Sequence, residues 1–317
     1  MAKQKVEKVK TEAPKKRKLQ SMEWKNAWKL HKEKYLLVLP FALIFLLFTA
    51  LPVAVSMVLS FTNFNMLQIP DFIALENYIN LIVFDDIFLI AVKNTLFFAI
   101  VTGPVSYLMC FVFAWIINEL PPKVRAVMVC VFYAPSISGN AFVIWKLLFS
   151  SDMYGYINAY LLKWNIISSP ILWFETAEYI MPILIIVQLW LSLGVGFLSF
   201  VAGLQSQDMA LYEAGAIDGI KNLWQELWYI TLPSMKPQLM FGAVMQITSS
   251  FGVAGIADAL VGFPSVDYAG HFILNHLNDY GGLRYEMGYA SAIAVILFFV
   301  MIFANILVQK VLRKVGS

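Results

Sequence analysis

Charge is scarce in this chain. Asp, Glu, Lys and Arg make up 14% of its 317 residues, against 60% apolar residues, a balance that excludes an ordinary soluble domain. Cysteine is nearly missing. Cys110 and Cys130 are the only two and both fall inside apolar runs, which argues against a disulfide framework or a cysteine metal site and for small buried apolar side chains. There is no Gly-rich phosphate loop of the Walker type, so the chain itself is not expected to bind nucleotide through one. The apolar runs hold no pair of Asp residues and no His-Glu-x-x-His, which excludes an intramembrane enzyme and leaves no catalytic residue, metal ligand or cofactor to assign. The beginning of the chain has no short apolar core followed by a small-residue cleavage site, so a signal peptide is not expected.

What is present is long apolar runs. Several exceed the ~20 residues that cross a hydrocarbon core, and in lipid such runs pair their backbone groups internally as helices. The sequence therefore predicts an all-α, polytopic protein of the lipid bilayer. Six spans are expected, at about 35–59, 90–117, 127–149, 180–204, 239–263 and 287–308. Gly103-Pro104 predicts a kink in the second span, and the polar stretch Pro135–Asn140 interrupts the third. The regions divide as a basic tail over 1–34, with an interfacial helix at its end, and a six-span domain over 35–317.

The distribution of positive charge orients the chain. Residues 1–34 hold 12 of the 23 Lys and Arg. Trp24 and Trp28, and Lys25 and Lys29, are each four apart, which suits a helix lying at the interface. A basic run just before a span is an orientation anchor, and no nucleic-acid partner is expected. With six spans, 19 Lys and Arg share the side of the termini and 4 lie opposite, which predicts cytoplasmic N- and C-termini.

Polar groups within spans mark a candidate pathway. Gln188 and Ser192 share one face of the fourth span, and Gln246, Ser249 and Ser250, at i, i+3 and i+4, form a stripe on the fifth. Amides and hydroxyls without an unpaired base suit an uncharged, hydroxyl-rich ligand, although Ser and Gln also join helices to one another. Asp258 is the single carboxylate well inside a predicted span. An ion-coupled secondary transporter working without an ATPase is the alternative, but it calls for intramembrane carboxylates and commonly an internal repeat. Asp258 alone qualifies, and the halves show no repeat. His271 and His276, five apart in an expected outer loop, are not a helical metal pair and are expected to be solvated.

The stretch Leu211–Pro237 is too charged to cross a bilayer and too apolar for a slack linker, which predicts short surface helices. Its residues Glu213-Ala214-Gly215, Asp218-Gly219 and Ile230-Thr231-Leu232-Pro233 resemble the EAA loop of bacterial ABC importer permeases. Two features depart from that pattern: Gly215 replaces the second alanine, and ten residues rather than nine separate Gly219 from Ile230. The likeness extends along the chain. Ser60–Phe64, Glu76-Asn77-Tyr78, Asn94-Thr95-Leu96, Gly155–Asn158 and Gly288–Ala292 are similar to motifs of the maltose and glycerol-3-phosphate type of carbohydrate permease.

That resemblance implies a type I importer permease fold in the bacterial cytoplasmic membrane. It implies a coupling loop over 205–237, between spans 4 and 5, in which Glu213, Ala214, Gly215, Asp218 and Gly219 engage an ATPase. The implied partners are a second, similar permease in a heterodimer, two cytoplasmic ATPase subunits, an extracytoplasmic solute-binding protein and a sugar substrate. It also implies that the sugar passes near Gln188, Ser192, Gln246, Ser249 and Ser250.

Overall fold

Apolar segments that must satisfy their own backbone groups become helices, and the described residues are helical almost throughout. The computed structural model describes residues 24–312, with side chains from residue 32 onward. The basic tail before residue 24, and Arg313 and Lys314 at the other end, lie outside the described residues. Among those described, β-pairing amounts to one isolated antiparallel bridge, Thr62 with Phe72.

The chain divides into a unit up to Val55 and a second from Ser56 onward. The first holds α1 (Trp24–Phe45), a π turn over Leu46–Ala50 and the start of α2 (Leu51–Leu59). Pro52 has no N–H to give and crowds the carbonyl four residues before it, which accounts for a widened turn at that place. Its apolar side chains are exposed: Leu37 is 81% and Phe48 76% accessible.

The second unit continues with α3 (Glu76–Ile79), α4 (Asp86–Asn118), α5 (Pro122–Ile137), α6 (Val143–Leu148), α7 (Tyr156–Lys163) and α8 (Ala177–Leu191). Then come α9 (Val195–Gln205), α10 (Met209–Ile217), α11 (Leu223–Glu226) and α12 (Leu232–Ser234). The last are α13 (Lys236–Phe251), α14 (Ala254–Val261), α15 (Ile273–Asn278) and α16 (Met287–Leu312).

Five helical stretches among the described residues are long and apolar enough to cross a membrane: Lys32–Leu59, Asp86–Asn118, Ala177–Gln205, Lys236–Val261 and Met287–Leu312. The third expected span, 127–149, is not one of them. It is split into α5, of 16 residues, and α6, of 6. The cause is local: Pro135 weakens the end of α5, and Gly139 takes a left-handed φ of 59°.

α4 is the central strut. Its second half packs with α9 and the start of α13 around Phe111, Phe197 and Phe200. Its middle meets α8 and α14 in a cluster that holds Phe98, Leu184 and Ala257, and its start packs with α15 and α16 through Phe88 and Ile293. Helical stability here comes from these packed faces rather than from propensity.

The short motifs act as clamps at one end of the bundle. The Asn77 amide donates to the carbonyls of Ser60 and Thr62, both at 2.9 Å, and the Tyr78 hydroxyl donates to Ser60 Oγ at 2.8 Å. Asn94 donates to the carbonyls of Tyr268 (2.9 Å) and His271 (3.0 Å), and the Ile273 N–H donates to Thr95 Oγ1 at 2.9 Å. Asn158 is buried and accepts from Trp173 Nε1 at 3.0 Å.

The expectation that His271 and His276 are solvated is corrected: each is 2% exposed. Their rings meet at 3.1 Å, and His276 Nε2 lies 3.0 Å from the carboxylate of Asp85, which caps α4 by accepting from the Phe88 N–H at 2.8 Å. The sequence places Asp85 so far from His276 that spacing gives no hint of the pair.

Burial pushes the His271 imidazole down from 6.5 to about 4, helped by the charge of His276 and opposed by Asp279 and Asp85. Burial pushes Asp85 up, but hydrogen bonds from His276 and the Phe88 N–H, the His276 charge and the Tyr289 hydroxyl outweigh it, and the carboxyl falls from 3.8 to about 2. Both folded values lie below the unfolded ones, so both contributions are present above the unfolded pKa and lost as pH falls. The His271 window is pH 6.5 down to about 4, and that of Asp85 is 3.8 down to about 2. The unfolding temperature in detergent is expected to drop across the first window, and His271→Asn to flatten that drop. An equal slope in the variant would refute this account.

Candidate functional site

Three helical stretches are interrupted around one cavity. α5 and α6 are separated by residues 138–142, α8 and α9 by 192–194, and α13 and α14 by 252–253. Irregular backbone at membrane depth is tolerated where it is buried in protein or lines a cavity. The cavity has a volume of about 340 Å³ and is lined by Ser136, Gly139, Phe142, Ser192, Gly194, Gln246 and Ser249, among others. None of the described Lys, Arg, Asp or Glu residues lines it.

The structure brings four of the five expected pathway residues together. Gln188 Nε2 donates to Ser249 Oγ at 2.9 Å, joining α8 to α13. Gln246 Nε2 donates to the Ser192 carbonyl and to Cys110 Sγ, both at 3.1 Å, and the Cys110 thiol donates to that same carbonyl at 3.3 Å. The carbonyl at the α8–α9 break is thus held by α4 and α13. Buried amides without such partners would be costly.

Ser250 faces elsewhere. Its hydroxyl donates to the Gln246 carbonyl at 2.9 Å, and it lines a separate apolar cavity with Gly103, Tyr107 and Val300. Asp258 accepts from Asn275 Nδ2 at 2.6 Å, which ties α14 to α15. Sequence reasoning missed Ser136, which lines the cavity, and the polar role of Cys110, whose partners lie on other helices at distances in sequence that no motif marks.

The 205–237 loop is built from its own caps. Asp208 opens α10 by accepting from the Ala210 N–H at 3.0 Å. α10 closes with two backbone bonds, Gly219 N–H to the Ala216 carbonyl at 3.3 Å and Ile220 N–H to the Gly215 carbonyl at 3.0 Å. This is the Schellman arrangement, and Gly219, with φ of 97°, supplies the left-handed residue it needs. Gly215 turns inward: a Cβ there would lie 2.5 Å from Ile230 Cδ1. Glu213, Ala214 and Asp218 are exposed.

The second half starts at Asn222, which caps α11 by accepting from the Gln225 N–H at 2.8 Å. Residues Leu227–Thr231 then form a π turn. A π turn carries one residue more than an α turn, which accommodates the tenth residue between Gly219 and Ile230 while Ile230 still seats on Gly215. The loop also exposes Ile217, Trp224, Trp228 and Tyr229, and Trp224 packs against Trp115 of α4 at 5.3 Å between ring centroids.

No family model matches the chain. It is 30% identical over 292 residues to the probable ABC transporter permease protein YesP of Bacillus subtilis, covering 89% of this chain and 90% of YesP. The chain belongs to the ABC transporter permeases. This permease is also 28% identical over 278 residues to the arabinooligosaccharides transport system permease protein AraP of B. subtilis, with 87% of each chain covered. Its fold matches a solved bacterial alginate ABC transporter in complex with alginate pentasaccharide-bound periplasmic protein, at TM-score 0.69 and 24% identity over 92% of this chain and 99% of that one. The permease is therefore a multi-pass membrane protein, and the ion-coupled alternative is set aside.

Proposed function

We propose that this permease forms half of the translocation pathway of an ATP-driven sugar importer. A second permease supplies the other half, two separate cytoplasmic ATPase subunits hydrolyse ATP, and an extracytoplasmic binding protein delivers the sugar. One observation carries the reading: α9 and α13, which wall the uncharged cavity, lead directly into and out of the 205–237 loop. An ATPase that moves the loop moves the cavity wall. Glu213, Ala214, Asp218 and Gly219 act as the coupling surface, and Gly215 holds that surface against Ile230. The excess of 19 Lys and Arg to 4 supports cytoplasmic termini and a cytoplasmic loop.

Gln188, Ser192, Gln246 and Ser249 line or brace the passage, with Ser250 on the far face of the same helix. A cavity that sets the Gln246 amide and the Ser136, Ser192 and Ser249 hydroxyls among apolar residues such as Phe142, Leu191 and Met245 accommodates a neutral oligosaccharide such as one built of arabinose. A uronate chain would bring carboxylates to a wall with no base to meet them.

The reading is tested in proteoliposomes. Uptake is expected only with the second permease, the ATPases, ATP and binding protein present. Gln246→Leu strips the bond to the Ser192 carbonyl and is expected to cut uptake at least about tenfold. Uptake by this chain alone, or full uptake by Gln246→Leu, would count against the importer and the pathway respectively.

A further inference from the structure

A second polar cleft, of about 470 Å³, opens at the end of the bundle away from the 205–237 loop, between the loop 61–80 and the start of α16. Asn63, Glu76, Asn80 and Glu286 line it, with Tyr280 and Tyr289 among its lining residues. Arg284 also lines it but is already committed: it pairs with Asp279 and lies 4.2 Å over the Tyr280 ring. Glu76 and Glu286 are exposed and have no ion-pair partner among the described residues. The cleft is therefore left negative.

Its tyrosine wall is fixed beforehand. The Tyr289 hydroxyl donates to Asp85 at 2.9 Å, the Tyr280 hydroxyl lies 3.5 Å from the same oxygen, and the two rings pack at 4.4 Å. With Arg284 over one face and Tyr289 against it, Tyr280 offers little open ring for a sugar to stack on. The carboxylates are what a ligand meets. Beside the cleft, Leu67, Ile69 and Phe72 are 90%, 88% and 76% exposed on a loop outside the apolar runs. Such a patch marks a contact with another molecule, and an apolar patch beside a polar, charged recess is the anatomy of a protein interface.

We infer that this cleft is a socket for a basic side chain of the extracytoplasmic binding protein, with Leu67, Ile69 and Phe72 as the apolar part of the same contact. The inference rests on the importer reading above. Two free carboxylates and several asparagine amides satisfy a guanidinium or ammonium by charge-assisted bonds, and a protein partner also covers the apolar residues, which a free sugar does not.

The test uses the assembled transporter in nanodiscs and reads the concentration of binding protein that half-saturates ATPase stimulation, at low and at physiological salt. Combining Glu76→Gln with Glu286→Gln is expected to raise it about tenfold and to remove most of its salt dependence. Asp71→Asn, on the same loop but outside the cleft, is expected to change it by less than about twofold. If the double variant fails to assemble, Glu286→Gln alone reads the same quantity. An unchanged half-saturation in the carboxylate variants, or an equal shift from Asp71→Asn, overturns the socket. A change confined to the response to free arabinose oligosaccharides, without binding protein, makes the cleft a sugar site and also overturns it. If the wild-type complex transports ATP-dependently yet no binding protein stimulates it, the socket falls while the ATP-driven reading stands. If it does not transport at all, both fall.

Discussion

Gly288→Ala is expected to leave little folded protein in the membrane. A Cβ at this position would overlap the Thr62 carbonyl oxygen and lie 3.0 Å from the Phe64 nitrogen. Both neighbours are backbone and have no rotamer by which to retreat. Nor can the 60–64 segment shift freely, because Asn77 holds the Ser60 and Thr62 carbonyls and the Gly288 N–H donates to the Phe64 carbonyl at 2.8 Å. Overpacking a fixed site costs about 3 kcal/mol, a large part of a typical stability of about 5–15 kcal/mol. The readout is the monodisperse yield and unfolding temperature in detergent, with Gly282→Ala as the control, since a Cβ at Gly282 meets nothing within 4 Å. A Gly288→Ala protein as abundant and as stable as the control would show that the clamp yields more easily than its geometry implies.

That clamp also shows where sequence reading succeeds and where it stops. Ser60–Phe64, Glu76-Asn77-Tyr78 and Gly288–Ala292 are each short and undistinguished, yet the first two and Gly288 close on one another in space. A resemblance can point to such motifs, but spacing within a motif does not say which distant segment it grips. The spans were legible because composition and length alone determine whether a run tolerates lipid; the observed Lys236–Val261 sits within three residues of the expected 239–263. The third span was legible as apolar and as interrupted over Pro135–Asn140; what was not legible is that the break leaves pieces of only 16 and 6 residues, since Pro135 and Gly139 act on backbone geometry that composition does not register.

The polar stripe on the fifth span divides between two cavities for a related reason. Ser249 and Ser250 are adjacent, about 100° apart around a helix, so the stripe is broad enough to reach two cavities. Only the packing of α4 and α16 against one side and of α8 against the other divides them. His271 and His276 looked solvated because their loop is polar. Their burial depends on Asp85, 191 residues away from His276, and local composition is blind to that.

Gly219→Val is expected to uncouple the transporter while leaving the spans intact. Gly219 holds φ at 97°, a region where a β-branched residue is strained by about 1–2 kcal/mol. The strain falls on the two bonds that stop α10, from Gly219 to Ala216 and from Ile220 to Gly215. Unwinding that stop moves Glu213 and Ala214 relative to Ile230 and the π turn, and so misaligns the surface proposed to meet the ATPase. Uptake and ATPase stimulation by binding protein are expected to fall at least about tenfold, the scale of losing one charge-assisted contact and its alignment. Glu213→Ala is expected to act in the same direction by removing the contact while keeping the loop. Gly215→Ala is the informative contrast. Its Cβ would lie 2.5 Å from Ile230 Cδ1 and 3.1 Å from Ile220 Cδ1, the ends of two flexible side chains that rotate aside, so this variant is expected to assemble and transport nearly as well as wild type. Copurification of the ATPase subunits, scored beside uptake, separates lost docking from lost folding. Should Gly219→Val couple normally while Gly215→Ala does not, the tight inward face of α10, rather than its stop, would be what the partner depends on.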